Sequence, residues 1–354
     1  MDSRQLRSRT ALTSALALTG ALVATQSAIA QDLIVNSYGA RYEELILEHI
    51  IEPFEEEFGV DVVYDVTGSA AEDYARIRAT NGAPGYDVVV MTGPESINGC
   101  AEGLLAPLTV ENVPNMAHLI PEIQNSIGEC GAIHEIQYMS LLYNTDEIEE
   151  APTSWRVLGE EQYHDRIILP NMNTIMGVFL TQVFSVMEGG TLEDLDPGFA
   201  YFAEIAPNAI EFIQSSSIMA NYIEDGSAVM TPYWSARAAL LQQSGLPVNF
   251  VIPEEGTIPL IATVNIPAQA ENIDLAYEFV NFWLSKERQE IWAQAYNVGT
   301  IRDDVDLPDD FTANQITSAE DLELLHLPDL IVIGENRSEW SARWMREISG
   351  LAQQ

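Results

Sequence analysis

The sequence has very little positive charge. Its 354 residues include a single lysine, Lys286, and 15 basic residues in all against 54 acidic ones, for a formal net charge of −39. Nucleic acids and anionic membrane surfaces bind proteins through patches of lysine and arginine. A chain this acidic repels both, so we predict no nucleic-acid partner.

The motifs of common catalytic and metal sites are also missing. The five histidines show neither the HxH nor the HExxH spacing of zinc sites. There is no GxSxG or CxxC motif, no phosphate-binding P-loop and no EF-hand loop. Carboxylates are abundant, but none is set apart by its neighbours as half of an acid–base pair. We therefore predict that the protein is not an enzyme and has neither a metal site nor a cofactor.

The chain has one prominent apolar run, close to its N-terminus. Three arginines within the first nine residues precede apolar residues 15–24, and alanines at 28 and 30 follow. This order is typical of a secretory signal peptide, and the run is too short to span a bilayer. We predict that residues 1–30 are a signal peptide cleaved after Ala30, and that the mature chain is periplasmic without stable membrane insertion. That chain would carry 12 basic and 53 acidic residues, a net charge of −41.

Cysteine is scarce, with only Cys100 and Cys130 present. In an oxidising compartment an isolated pair is more often bridged than catalytic. Neither cysteine has a histidine and an aspartate set around it as a nucleophile would. We predict a disulfide between them.

Beyond these absences, the mature chain alternates strand-like and helix-like segments. The first three strand-like segments are DLIVNS, VDVVYDV and YDVVVMT, and each is followed by a helix-like stretch. Such alternation predicts an α/β fold whose largely parallel sheets are flanked by helices. A second alternation begins near residue 150, with no repeat or linker before it. We therefore expect strands that cross between two parts of the molecule.

Small polar residues follow the first three strands. Ser37 and Tyr38 lie at the carboxyl end of the first, Thr67 and Ser69 at that of the second, and Thr92 at that of the third. Ligands of parallel sheets bind outside the carboxyl ends of the strands, where backbone N–H groups are accessible. We predict a ligand site there, with Ser69 also capping the helix that starts near Ala71.

Two loops of the second part carry further candidates. The segment PYWSARA at residues 232–238 places two aromatic rings and an arginine at the end of a strand. Arginine favours carboxylates, and tryptophan packs on an aliphatic stem or an ammonium group. The candidates from these loops are Asn171, Asn173, Thr174, Tyr233, Trp234 and Arg237.

Several stretches resemble a known family over nearly the whole mature chain and in the same order. They include PFEEEFGVDVVYDV, YDVVVMTGPE, LLYNTDEI, GLPVNFVIPEEGTIPLIATVNIPAQAENIDLAYEFVNFWLS and ENRSEWSARWMREI. They resemble the solute-binding proteins of ABC importers, in the family that contains the spermidine/putrescine binders. The resemblance implies a two-lobed periplasmic-binding-protein fold of type II, which closes around one small ligand and docks on a membrane permease, most simply as a monomer. We expect residues 31–140 and about 258–300 in the first lobe, and about 141–257 and 301–354 in the second.

The resemblance leaves the ligand open. Trp234 falls on the tryptophan that stacks on the ligand in spermidine binders. The acidic residues that those relatives carry are absent, because residues 171–175 read NMNTI and residues 260–262 read LIA where the relatives have Trp-x-Asp. No adjacent tyrosine pair is present, as iron-binding relatives would have. The ligand predicted is an amine, an amino-acid-like zwitterion or a carboxylate, with a polyamine still possible.

The full set of predicted ligand-binding residues comprises the strand-end and loop residues above with Arg41 and Thr263 added. A secreted enzyme acting on a small polar substrate and a structural envelope protein remain as alternatives.

Overall fold

The computed structural model of the protein describes residues 33–39, 41–66, 69–308, 311, 315–316 and 321–352. The predicted signal peptide and its cleavage site lie outside the described residues, as does Thr67. Among the helices of the described part, none is both long enough and apolar enough to cross a membrane.

The described strands alternate with helices as the sequence predicts. The strands are β1 (Leu33–Ser37), β2 (Val62–Val66), β3 (Val88–Thr92), β4 (Gly131–Asn144), β5 (Ile167–Pro170), β6 (Ala209–Ile213), β7 (Met230–Trp234), β8 (Val248–Val251) and β9 (Pro259–Asn265). The α-helices are α1 (Arg41–Ile46), α2 (Glu52–Phe58), α3 (Ala70–Ala79), α4 (Gly93–Ala101), α5 (Pro121–Gln124), α6 (Ile175–Met187), α7 (Asp196–Ile205), α8 (Ser216–Glu224), α9 (Ser235–Gln243), α10 (Ile273–Trp283), α11 (Lys286–Tyr296) and α12 (Leu330–Glu347). Short 3₁₀ helices lie at Pro114–His118, Asn125–Ile127, Trp155–Gly159, Glu161–Tyr163, Ala206–Asn208 and Asp321–Leu324.

The strands pair in the order β2-β1-β3-β9-β4-β7-β5-β6, and β8 also pairs with β4. Pairing is parallel among β1, β2 and β3 and again among β5, β6 and β7. The central strands β9 and β4 pair antiparallel with their neighbours. The fold is therefore a mixed α/β sheet with parallel flanks. The residue bounds of the two lobes stay a prediction.

Strand β4 belongs to both halves of this sheet. Its first part, from Gly131 to Tyr138, pairs with β9, and its second part, from Met139 to Asn144, pairs with β7 and β8. Its side chains are buried along the whole strand except at Asn144. This strand is the crossing element that the sequence predicts between the two parts of the molecule.

Apolar side chains cover both faces of the sheet in its first half. Val88 and Val90 of β3 belong to the main core, whereas Val89 and Met91 belong to a smaller cluster on the opposite face. A strand buried on both faces is typical of parallel sheets enclosed by helices, which is why β3 reads as a continuous apolar run. The predicted disulfide packs in the smaller cluster: Cys100 and Cys130 are bonded, with Cα atoms 5.4 Å apart.

Helices α1 and α2 are joined by a π-helical turn at Leu47–Ile51. Its cause is Pro53, which has no N–H to donate and whose ring crowds the carbonyl one turn earlier, that of His49. The wider turn lets the N–H of Glu52 donate to the carbonyl of Leu47 instead. The carbonyl of His49 accepts a hydrogen bond of 3.1 Å from Nη1 of Arg288, so it is not left unpaired.

The amphipathic pattern of residues 275–296 predicts one long helix, but the structure has two helices there, α10 and α11. Ser285 adopts an extended conformation (φ −62°, ψ 152°) that ends one helix and begins the next. The apolar pattern continues across this break with Trp283, Leu284 and Trp292, all buried. Periodicity alone could not show the interruption.

Candidate functional site

A cavity of about 260 Å³ opens beside Arg337 at the carboxyl end of β3. We call it the Arg337 cavity. Its walls come from the starts of α4, α6, β9 and α12 and from the segment before α12. They are mainly apolar, and the residues that define them include Ile97, Ile127, Ile175, Phe179, Leu260 and Leu330.

Of the predicted site residues, Thr92 lines this cavity directly. It stands immediately before α4, and its hydroxyl bonds to the carboxylate of Glu95 rather than to a backbone N–H. Glu95 lines the cavity too. A carboxylate in the first turn of a helix is stabilised by the helix dipole. The carboxylate of Glu95 therefore already occupies the position at the start of α4 that favours an anion.

The loop before α6 is held by its own hydrogen bonds. The N–H of Asn173 donates to Oδ1 of buried Asn171 over 2.9 Å, and the hydroxyl of Thr174 donates to the Asn171 carbonyl over 2.8 Å. Thr174 also caps α6 by accepting from the N–H of Gly177. The three predicted residues thus fix the loop and the helix start, which places Ile175 in the cavity wall.

Arg337 reaches this loop from α12. Its Nη2 donates to the carbonyl of Asn173 over 2.9 Å, between residues 164 positions apart in the chain. The guanidinium is half-buried and lines the cavity. Sequence reasoning missed Arg337 because no local motif distinguishes it.

The segment PYWSARA forms the end of β7 and the start of α9. Trp234 is half-buried and meets Phe179 of the cavity wall edge-on, with ring centroids 6.3 Å apart. Tyr233 is buried and donates from its hydroxyl to the carbonyl of Ser216 over 2.9 Å. The indole of Trp234 therefore packs against Phe179 of the cavity wall, whereas Tyr233 anchors the strand.

Arg237 is exposed and has no carboxylate partner among the described residues. Burial raises the pKa of Tyr233, and the nearby Arg237 guanidinium opposes that rise. Arg237 opposes the rise in the pKa of Tyr296 in the same way, so it lies close to both phenols. The guanidinium charge of Arg237 therefore lies near the hydroxyl groups of Tyr233 and Tyr296.

This lack of a partner is unusual in the chain. Ten of the twelve basic side chains after residue 30 have a carboxylate oxygen within 3.8 Å. Within the described part of the chain, only Arg237 and Arg337 do not. After residue 30, 53 acidic residues are present for 12 basic ones, so the lack of a paired carboxylate sets Arg237 and Arg337 apart.

Tyr38 belongs to an aromatic cluster next to the cavity. Its ring meets Tyr42 at 5.3 Å between centroids, and Tyr42 meets Trp292 and Tyr296 at 5.0 and 5.2 Å. Burial raises the pKa of Tyr38, and the charges of Glu135 and Glu95 raise it further. The Tyr38 hydroxyl is buried without a hydrogen-bond partner among the described residues. Tyr38, Trp234 and Arg237 do not line the Arg337 cavity itself. Trp234 contacts Phe179 of its wall, and Glu95 of its wall acts on Tyr38. We call the Arg337 cavity together with these three residues the candidate cleft.

A buried carboxylate lies under the aromatic cluster. Thr92, Ala262 and Glu135 are paired in one row across β3, β9 and β4, so their side chains point to the same face of the sheet. Glu135 accepts from Nε1 of Trp292 over 2.9 Å and from Nε2 of Gln137 over 3.4 Å. Burial nevertheless raises its pKa to about 7. Sequence reasoning missed this residue because it lies inside an apolar strand, far from any loop.

His134 adjoins Glu135 in the same strand. Its Nε2 lies 2.9 Å from the hydroxyl of Tyr42, and its ring packs on Trp283 with centroids 4.5 Å apart. Burial lowers the pKa of His134 to about 3. The imidazole is therefore neutral at neutral pH, and it does not balance the charge of Glu135.

The other predicted residues lie elsewhere or serve the local structure. Arg41 is exposed and pairs with Glu44 at 2.9 Å, and Ser69 caps α3 by accepting from the N–H of Glu72. Ser37 is fully buried in β1. Thr263 is fully buried and follows Ala262, so it points to the face opposite the Thr92 row.

One group of possible metal ligands is present among the described residues. His118, Asp303 and Asp304 bring their ligand atoms within 4.8 Å of one another. Arg302 donates to both carboxylate oxygens of Asp304 and holds the pKa of that group below its usual value. Because both carboxylate oxygens of Asp304 already accept hydrogen bonds from Arg302, we assign no metal to this group.

Comparison with known proteins decides the family. Residues 49–319 match the family described as bacterial extracellular solute-binding protein. The chain belongs to the bacterial extracellular solute-binding proteins. Its membership confirms the resemblance seen in the sequence and the expectation of a binding protein rather than an enzyme.

Individual solute-binding proteins are similar over most of the chain. Spermidine/putrescine-binding periplasmic protein 1 of Haemophilus influenzae is 23% identical over 318 residues, 86% of each chain. The gamma-aminobutyric acid-binding protein of Pseudomonas aeruginosa is 23% identical over 289 residues, 78% of this chain and 79% of the relative.

A solved structure shows the same fold. The spermidine/putrescine ABC transporter substrate-binding protein PotD of Streptococcus pneumoniae superposes with a TM-score of 0.77 at 19% identity, covering 90% of this chain and 99% of the other. This likeness confirms the predicted two-lobed α/β fold of solute-binding proteins.

Proposed function

We propose that this solute-binding protein is a periplasmic receptor for a small organic ligand that carries a carboxylate, such as an ω-amino acid, and that it delivers the ligand to an ABC permease. The receptor would act as a monomer after cleavage behind Ala30, holding the ligand between its two lobes. Relatives named for spermidine and putrescine and for γ-aminobutyrate support a ligand with an ammonium group, a carboxylate or both.

The observation that carries this proposal is Arg237 without a carboxylate partner. Arginine binds carboxylates through two parallel hydrogen bonds. Because both partners are charged, these hydrogen bonds are stronger than those between neutral groups. In a chain with a net charge of −39, ten other basic groups after residue 30 are paired with a carboxylate of the protein. Arg237 is therefore available to bind the carboxylate of a ligand, while Trp234 packs on the aliphatic stem of that ligand.

Carboxylates near Tyr38 suit the other end of a zwitterion. Glu95 and Glu135 both act on the phenol of Tyr38, so their charges lie close to one part of the candidate cleft. A buried ammonium group requires hydrogen-bond acceptors, and the carboxylates of Glu95 and Glu135 would supply charge-assisted ones. A bare diamine would meet the same carboxylates but would also bring a second positive charge towards Arg237, which costs energy.

Calorimetry with γ-aminobutyrate, simple amino acids, putrescine and spermidine tests the proposal. We expect a carboxylate-bearing ligand to bind, and Arg237→Ala to weaken it about tenfold or more, since hydrogen bonds to charged groups contribute about 1.5–3 kcal/mol. The matched control is Arg166→Ala, which removes the same charge from an exposed arginine paired with Glu147. It should bind as the wild type does.

Spermidine and putrescine are the second candidates, because the names of relatives favour them. Micromolar binding of a diamine that Arg237→Ala leaves unchanged would show that the carboxylate proposal is wrong. It would instead support a polyamine receptor that uses Glu95 and Glu135.

A further inference from the structure

Arg337 is the second basic residue without a carboxylate partner among the described residues, and it lines the Arg337 cavity. Its one hydrogen bond among the described residues goes to a backbone carbonyl, that of Asn173. A guanidinium has five N–H donors. Most of its donors therefore have no protein acceptor while the group lines a cavity.

A helix start adds to the positive potential at this point. Helix α6 is 13 residues long, begins at Ile175 in the cavity wall and has no acidic residue in its first turn. The N-terminus of such a helix favours an anion. The start of α4 differs, because Glu95 occupies it. Arg337 and α6 together make an anion-favouring corner in an otherwise acidic protein.

The rest of the cavity is mainly apolar, with Thr92, Glu95 and Ser126 as its other polar residues. Phe179, Leu260 and the isoleucines named above supply hydrocarbon surface that a charged group alone would not cover. Its volume of about 260 Å³ holds about eight groups the size of a water molecule, at about 30 Å³ each. This space suits a hydrocarbon chain of several carbons.

We propose that the Arg337 cavity binds a hydrocarbon arm of the ligand whose end carries a second anionic group, and that Arg337 binds this group. The ligand is then an elongated organic or amino acid with an anionic group at each end, a narrower class within the carboxylate-bearing ligands of the proposed function. This inference rests on the proposed function, because it takes the cavity as part of the same cleft.

Calorimetry with adipate and hexanoate tests the inference, because the two acids share one chain length and differ in the second carboxylate. We expect the wild type to bind adipate about tenfold or more tightly than hexanoate. Arg337→Gln should remove this preference and leave the affinity for hexanoate within about twofold. Arg337→Lys keeps the charge and should retain part of the preference, and Leu260→Phe, which reduces the cavity, should weaken both acids.

The outcomes separate this inference from the proposed function. Each of three results would overturn the role of Arg337. The wild type binds the two acids with equal affinity, the wild type binds neither acid at millimolar concentration, or Arg337→Gln weakens the binding of both acids equally. Arg237→Ala should weaken both acids. If it weakens neither while Arg337→Gln still removes the preference, the role of Arg237 fails and the Arg337 cavity stands. If the melting temperatures of the variants stay near that of the wild type, the change in affinity does not result from a fold weakened by loss of the Arg337 contact to Asn173.

Discussion

Replacing Glu135 with glutamine should change how the folding stability depends on pH. Burial holds the pKa of this carboxyl at about 7, against 4.5 for an unperturbed one. Between these two values the folded state keeps a proton that the unfolded state has lost. The folded state is thus favoured below pH 4.5, and that advantage is lost as the pH rises through 7.

The size of the effect follows from the shift. Each pKa unit corresponds to about 1.4 kcal/mol, so a rise from 4.5 to about 7 amounts to about 3 kcal/mol. His134 acts in the opposite sense: its stabilising contribution is present above pH 6.5 and is lost as the pH falls towards 3. Both proteins contain His134, so the difference between wild type and Glu135→Gln isolates the carboxyl. The phenols that face it, on Tyr38, Tyr42 and Tyr296, have raised pKa values and stay neutral in this range.

Urea denaturation from pH 4.5 to 7.5 measures this difference. We expect the stability of the wild type to fall by about 3 kcal/mol relative to Glu135→Gln over that range. Glu150→Gln is the matched control, since Glu150 is exposed and the change removes the same charge. It should follow the wild type. A difference between wild type and Glu135→Gln that stays flat across the range would show that the carboxyl titrates normally and that the burial argument is wrong.

Three further predictions concern stability alone and are measured by the same urea denaturation. Replacing Cys100 and Cys130 with serine should cost about 3–4 kcal/mol, because the bond closes a loop across 30 positions; a loss below about 1 kcal/mol contradicts this. Gly177→Ala should cost about 1–3 kcal/mol, because a Cβ there would lie 2.3 Å from a backbone oxygen of the preceding loop. Its control, Gly334→Ala in α12, meets nothing within 4 Å and should be neutral or stabilising. Ser69→Ala should cost about 1 kcal/mol through loss of the helix cap, whereas Ser69→Asp should restore it.

Much of the fold could be predicted because its signals are local. The apolar runs of β1 and β3 form strands, as the sequence predicts. Gly59 ends α2 in the left-handed conformation that glycine adopts without strain. The π-helical turn was not predicted, because it results from Pro53 acting on a carbonyl that only Arg288, far along the chain, then satisfies. Breaks of this kind depend on tertiary contacts rather than on periodicity.

The candidate site was predicted only in part, for the same reason. Thr92 and Trp234 end strands, and strand ends can be found by inspection of the sequence. Arg337 and Glu135 have no such marker: one reaches the cavity from the C-terminal helix, and the other lies in an apolar strand. The roles proposed for Arg237 and Arg337 depend on a comparison with every other basic side chain after residue 30, each of which has a carboxylate partner.

The pairing of nearly all basic side chains also has a consequence for the rate of ligand capture. Their charges are cancelled locally, so an approaching anion meets a negative field until it comes close to Arg237 or Arg337. Salt shortens the range of that repulsion, from about 10 Å at 0.1 M to about 3 Å at 1 M. The association rate of an anionic ligand should therefore increase with ionic strength, whereas its dissociation rate, set by contacts inside the cleft, should change less. A receptor with this charge pattern would capture an anionic ligand faster in saline water than in fresh water.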